Sequence, residues 1–163
     1  MPNPGQPTIG LGASGDAVRR AQRALRRTPN LGLTVDGQFG SLTEAAVKGF
    51  QTGAGLVADG IVGPLTWDAL PNGGPMPTLA EGSHGLVVAR LQNVLTNGAG
   101  GQWPAPGPID EHFGPLTKAA VEGFQAWAGV AADGVVGDQT WAASLHALSA
   151  TLESTVGLDF AST

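Results

Sequence analysis

Apolar residues along the chain fall at helical rather than strand spacing. Val18, Ala21 and Leu25 stand at i, i+3 and i+7, which predicts a helix from Asp16 to Arg27 with Ser14 placed to cap it. Val88, Leu91 and Leu95 repeat the pattern and predict a similar helix from Leu86 to Asn97. Ala46, Val47 and Phe50 follow Phe39-Gly40, and Ala120, Val121 and Phe124 follow Phe113-Gly114, so each triplet gives one more helix a buried side. Pro115, directly after glycine, suits a first helical turn because its missing N–H costs nothing there. Short third helices begin near Pro64 and Asp138 and carry Trp67 and Trp141 as core residues. Leu145, Leu148, Leu152 and Val156 keep a 3–4 residue spacing, which predicts that the last helix runs on into the tail. No segment alternates strictly enough to predict a strand.

The elements form two sets. Val35 to Gln51 returns 74 residues later as Ile109 to Gln125, and Asp59 to Trp67 returns at the same offset as Asp133 to Trp141. Upstream, Gly15, Val18, Gln22 and Leu25 match Gly85, Val88, Gln92 and Leu95 at an offset of 70, so the second copy carries four extra residues in the Gly/Pro-rich stretch 97–108. The predicted architecture is all-α: an N-terminal arm (1–8), a three-helix-bundle module (9–70), a linker (71–78), a second such module (79–145) and a C-terminal helical extension (146–163). Each module is near the lower size limit for an independent core.

Composition narrows the chemistry. The 163 residues are 42% hydrophobic and 13% charged, enough apolar material for a folded core. The absence of cysteine excludes disulfides, thiolate metal sites and a cysteine nucleophile. A net charge of -5 argues against a nucleic-acid partner. Met1-Pro2-Asn3-Pro4 has neither the basic nor the apolar region of an export signal, and no window reaches a membrane span. The expectation is a protein with no membrane partner, cytoplasmic until lysis or delivery to the cell wall, or carried in a secreted particle.

Three constellations resemble sites and are read as structural. Gly10-Leu11-Gly12-Ala13-Ser14-Gly15 fits G-x-G-x-x-G but lacks the preceding buried strand, so it forms a turn and binds no cofactor. His84, His112 and His146 have no metal-ligand spacing. Asp36, Asp59, Asp110 and Asp133 stand at turn positions, where a carboxylate caps backbone N–H groups and stays ionised, unlike a general acid. No nucleophile elbow is present. The chain therefore reads as no enzyme, with no metal and no cofactor.

The run Asp36-Gly37-x-Phe39-Gly40-x-x-Thr43-x-x-Ala46-Val47-x-x-Phe50-Gln51, then Asp59-Gly60-Ile61-Val62-Gly63-x-x-Thr66-Trp67, resembles peptidoglycan-binding domain 1, and so does the second copy, with Glu111 in place of Gly37. The resemblance implies a three-helix module that holds bacterial cell-wall peptidoglycan without cutting it. It points to the groove between the second and third helices of each copy as the place for stem peptide or glycan, with Gln51, Asp59, Trp67, Gln125, Asp133 and Trp141 at the ligand.

Features found in one copy only suggest a partner surface. Trp127 stands where the first copy has Gly53, and Trp103 comes with the insertion, so both are expected as exposed interface anchors, with Leu158 and Phe160 in the tail. Arg19, Arg20, Arg23, Arg26 and Arg27 gather on one helix, as a solvated face or a contact for an anionic partner. These features support an alternative function as a structural or adaptor component of a phage-like or injection-type assembly.

Overall fold

Helices and isolated bridges make up the regular structure of the computed structural model, which describes residues 3–28, 33–98, 102–143 and 151–161. Among these, the helices are α1 (Asp16–Arg26), α2 (Ser41–Gly53), α3 (Pro64–Ala69), α4 (Leu86–Gly98), α5 (Pro115–Ala128), α6 (Asp138–Trp141) and α7 (Leu152–Val156), followed by a 3-10 turn at Leu158–Phe160. The all-α expectation holds: no strand occurs among the described residues. The chain divides into two compact units, Met1–Pro75 with Ala161–Thr163, and Met76–Phe160.

In the first unit α1 and α2 bury Val18, Ala21, Ala24, Leu25, Ala46 and Val47 against Phe39, Val62 and Trp67. The entry to α1 differs from expectation. Gly15, not Ser14, is the N-cap, and no side chain caps the helix. The N-terminal arm is tied to the bundle: Trp67 Nε1 donates to the Pro7 carbonyl at 2.9 Å, and the Asn3 side-chain amide donates to the Pro71 carbonyl at 3.0 Å.

Arg19 keeps the solvated-face reading, exposed and 2.9 Å from Asp16, whereas the other four arginines correct it. Arg20 and Arg26 are buried, and Arg23 and Arg27 are partly so. Arg23 Nε donates to the Gly73 carbonyl, and Arg27 Nη1 donates to the carbonyls of Asn72 and Gly74, each at 2.7 Å. Arg20 reaches the side-chain oxygens of Asn3 at 2.8 Å and Asn72 at 2.9 Å. Gly73 lies so close to α1 that a Cβ would come within 2.0 Å of the Arg20 carbonyl oxygen. The guanidinium groups thus bind the first half of the predicted linker to α1, supplying charge-assisted bonds to carbonyls that would otherwise be buried without donors.

In the second unit, buried Leu79, Val88, Leu91, Leu95, Phe113, Val121, Phe124, Val136 and Trp141 repeat this core. Trp103, expected as an exposed anchor, is an interior residue with 7% of its surface accessible. Its Nε1 donates to the Leu95 carbonyl at 2.9 Å, and its ring meets Phe124 edge-on at 5.3 Å and Trp127 at 5.2 Å. Trp127 is partly buried in the same cluster. The physical reason is the insertion: it gives this copy a loop long enough to fold back over α5, and a small module gains most by burying its largest side chains.

The predicted continuous tail helix is also corrected. α6 ends at Trp141 with Ala142 as C-cap, while Leu145 and Leu148 lie outside the described residues. α7 packs against α4 and α6, and Leu152 and Val156 are fully buried. Leu158 and Phe160 are partly buried, and the Arg90 guanidinium stands 5.6 Å from the Phe160 ring centroid, a cation–π contact within the second unit.

Trp103→Ala is expected to destabilise the second unit by about 3–5 kcal/mol, the usual cost of emptying a large aromatic site. A circular dichroism melt should show a drop of more than about 10 °C; an unchanged melt would place the ring outside the core.

Candidate functional site

One local construction occurs four times and shapes the surface of both modules. A buried glutamine on one helix reaches across to the turn that starts the next. Gln22 on α1 serves the turn at Asp36-Gly37, and Gln51 on α2 serves Asp59-Gly60. Gln92 on α4 and Gln125 on α5 do the same at Asp110-Glu111 and Asp133-Gly134. For Gln51, Nε2 donates to Asp59 Oδ1 at 2.9 Å, to the Ile61 carbonyl at 2.9 Å and to Thr66 Oγ1 at 3.1 Å, while Oε1 accepts the Gly60 N–H at 3.0 Å. For Gln125 the partners are Asp133 Oδ1 at 3.0 Å, the Val135 carbonyl at 2.9 Å, Thr140 Oγ1 at 2.9 Å and the Gly134 N–H at 3.0 Å.

Each turn then follows the same course. The aspartate Oδ1 accepts the N–H two residues on, from Gln38, Ile61, His112 and Val135 respectively. The next residue has positive φ: 76° at Gly37, 75° at Gly60, 73° at Gly134 and 67° at Glu111. Glu111 is the one non-glycine residue with positive φ among those described. A side chain in that conformation costs about 1 kcal/mol or more, which the three Gly turns avoid. Two residues beyond the positive-φ position stands a buried apolar residue (Phe39, Val62, Phe113, Val136), and a glycine then caps the following helix.

Two positions after that glycine a side chain points to solvent. It is Leu42 at 80% exposure, Leu65 at 72%, Leu116 at 61%, and Gln139 at the fourth turn. In the first module the space between α2 and α3 is a shallow groove of about 220 Å³ lined by residues that include Gln51, Leu56, Val57, Asp59, Ile61 and Leu65. A larger depression of about 730 Å³ lies beside Asp36, with Leu33, Thr34, Gln38, Ser41 and Leu42.

This geometry sorts the six residues expected at a ligand. Asp59 and Asp133 stand at the surface. Gln51 and Gln125 are buried, with both amide hydrogens and the carbonyl oxygen engaged inside the module. Trp67 and Trp141 are buried, and their Nε1 groups donate to the Pro7 and Pro77 carbonyls. Gln125 and the two tryptophans therefore support the surface from within, while Gln51 borders the groove between α2 and α3 with its polar atoms already engaged inside the module. Leu42, Leu65 and Leu116 were missed. A further internal repeat marks them: Asp36 to Thr43 recurs 23 residues later as Asp59 to Thr66.

His84 and His112 face each other across a backbone bridge and are exposed, and His146 lies outside the described residues. No group of three or more metal-ligating side chains occurs among the described residues. All four turn aspartates are held below the usual carboxylate range. At Asp36, Asp59 and Asp133 the backbone N–H two residues on is the main cause, followed by the glutamine amide; at Asp110 Gln92 leads. A carboxyl held ionised in this way is unsuited to donate a proton near neutral pH.

Residues 14–70 and 85–143 each match the family described as "Putative peptidoglycan binding domain". The chain belongs to this family. Its two peptidoglycan-binding modules are helical and stand in tandem. The Streptomyces albus G zinc D-Ala-D-Ala carboxypeptidase is 48% identical over 65 residues, covering 39% of this chain and 26% of that protein. N-acetylmuramoyl-L-alanine amidase CwlL of Bacillus licheniformis is 32% identical over 155 residues, 79% of this chain and 42% of the enzyme. The chain thus spans less than half the length of either enzyme. Among solved structures, a peptidoglycan-binding protein from Clostridioides difficile in complex with glutamine hydroxamate is 44% identical with a TM-score of 0.37, covering 39% of each chain. No described helix is long and apolar enough to cross a membrane.

The turn aspartates make stability acid-sensitive. An unfolded Asp titrates near about pH 3.9, and the folded groups titrate lower, so their contribution is present above that value. It is lost as the pH falls through the folded-state values. Melting temperature should stay level from neutral pH to about pH 5 and fall steeply below about pH 4. A melting temperature that rises on acidification would contradict the ionised turns.

Proposed function

We propose that this chain holds bacterial peptidoglycan non-covalently through both modules and does not cut it. The observation that carries this reading is that each module matches the peptidoglycan-binding family over nearly its whole length. The exposed turns support it with suitable chemistry. Asp36, Asp59 and Asp110 each place an ionised carboxylate, fixed by a buried amide, in the same turn as an exposed leucine. A fixed anion can accept hydrogen bonds from stem-peptide amides, amines or sugar hydroxyls, while the leucine covers methyl and ring C–H groups. In this reading Asp59 and Asp133 are the contacts retained from the sequence-based site, and Leu42, Leu65 and Leu116 join them.

Two weak sites on one chain suit a repeating polymer, because the second contact forms at high effective concentration. Such a chain meets its ligand where the wall is accessible, after lysis, after delivery, or in a secreted particle. The adaptor alternative drew on Trp103 and Trp127 as free rings and on the tail; Trp103 is buried against Phe124 and Trp127, so that ring does not serve it.

Co-sedimentation of the full chain with purified sacculi at moderate salt tests the reading. The chain should pellet with the sacculi, and the combined Leu42→Ser, Leu65→Ser and Leu116→Ser variant should bind at least about tenfold more weakly with little change in melting temperature. A full chain that stays in the supernatant would overturn it.

A further inference from the structure

α5 in the second module has a side that is already occupied. Trp103 and Pro104 lie on it so closely that a Cβ at Gly123 would stand 2.8 Å from both the Trp103 Cβ and the Pro104 Cδ. Gly123 is therefore required by its occupant. Beneath the indole, Phe124 is 1% exposed, and Trp127 closes the far edge.

α2 carries the matching side in the first module: Gly49 for Gly123, Phe50 for Phe124, and Gly53 where α5 has Trp127. A groove of about 470 Å³ lies there, lined by Thr28, Ala45, Ala46, Gly49, Phe50 and Gly53. Phe50 is only partly buried, and a Cβ at Gly49 or Gly53 would meet nothing within 4 Å. Glycine inside a helix costs about 1 kcal/mol relative to alanine. In the second module that cost makes room for Trp103; in the first, no described residue uses the space.

We propose that this groove is a docking site for an extended segment of a partner protein carrying tryptophan followed by proline, seated on α2 as Trp103-Pro104 is seated on α5. The occupant is read from the one that fills the equivalent face in the same chain. Gly49 lets an indole and a proline ring lie directly on helix backbone, and Phe50 offers the edge-on ring contact that Phe124 makes. With Gly53 in place of Trp127, no described residue closes that end of the groove, which gives a segment from outside the chain a way in. The volume lies in the range of ligand pockets. This site is separate from wall binding at the turns and does not depend on it.

The probe is an acetylated, amidated peptide of sequence Gly-Gln-Trp-Pro-Ala-Pro, titrated into the full 15N-labelled chain. Saturable amide shifts should centre on Gly49, Phe50 and Gly53 with a Kd below about 1 mM. The peptide with alanine for tryptophan should lose binding. Gly49→Leu, which fills the groove at an open position, should weaken binding at least about tenfold without lowering the melting temperature. Absent or scattered shifts, or unchanged binding to Gly49→Leu, would overturn the proposal. A lowered melting temperature in Gly49→Leu would also overturn it, by showing that the chain itself fills the groove. Displacement of the peptide by muramyl dipeptide would overturn it as well, assigning the groove to the wall.

Discussion

A buried primary amide is the constraint on which each module depends. Glutamine carries two donors and an oxygen acceptor on a side chain long enough to leave its own helix, and once buried it must satisfy them or cost stability. Gln22, Gln51, Gln92 and Gln125 meet this demand by gripping a turn: its aspartate, a following carbonyl, the threonine of the next helix and a turn N–H. Each amide thus fixes where one helix stands relative to the start of the next. Because the same bonds add to the turn N–H in holding the aspartate ionised, and fix the turn from which the exposed side chain two residues beyond the capping glycine projects, the surface chemistry is tied to the interior bond.

Small cores need supplements, and the two modules use different ones. The first fastens chain outside its three helices by charge: Arg20, Arg23 and Arg27 hold residues 72–74, and Asn3 ties down the arm. The second uses apolar area, adding Trp103 and Trp127 over Phe124 and docking α7 on α4. The clustering of arginines on α1 is therefore largely architectural. The contrast also leaves α2 uncovered by any described residue where α5 is covered by Trp103, and this difference defines the groove of the first module.

The helices, their order and the two-copy organisation were legible because helical spacing and a long repeat report directly on burial. The turn role of the aspartates was legible for the same reason: a short acceptor before a glycine has few other uses. Trp103 was misread because absence from one copy was taken as absence from the core, whereas an insertion can bring its own core residue. The internal role of Gln51 and Gln125 was hidden, because a polar residue near a groove shows its turn partners only once the fold is known. The arginines misled in the same way, since main-chain carbonyls leave no trace in a sequence. Leu42, Leu65 and Leu116 were hidden by hydrophobicity itself, which signals core unless exposure is seen.

The most direct test of the amide constraint is equilibrium unfolding of Gln125→Met, which keeps length and volume while removing every hydrogen bond of one lock. Loss of these bonds leaves the buried Gly134 N–H without its acceptor and the Val135 carbonyl with only the Thr140 hydroxyl at 3.4 Å, so the account predicts a loss of about 3–5 kcal/mol. It also predicts faster hydrogen exchange at the Gly134 amide, whose acceptor is Gln125 Oε1. A variant within about 1 kcal/mol of the parent, with Gly134 still protected, would show that packing alone sets the turn and would contradict the central claim.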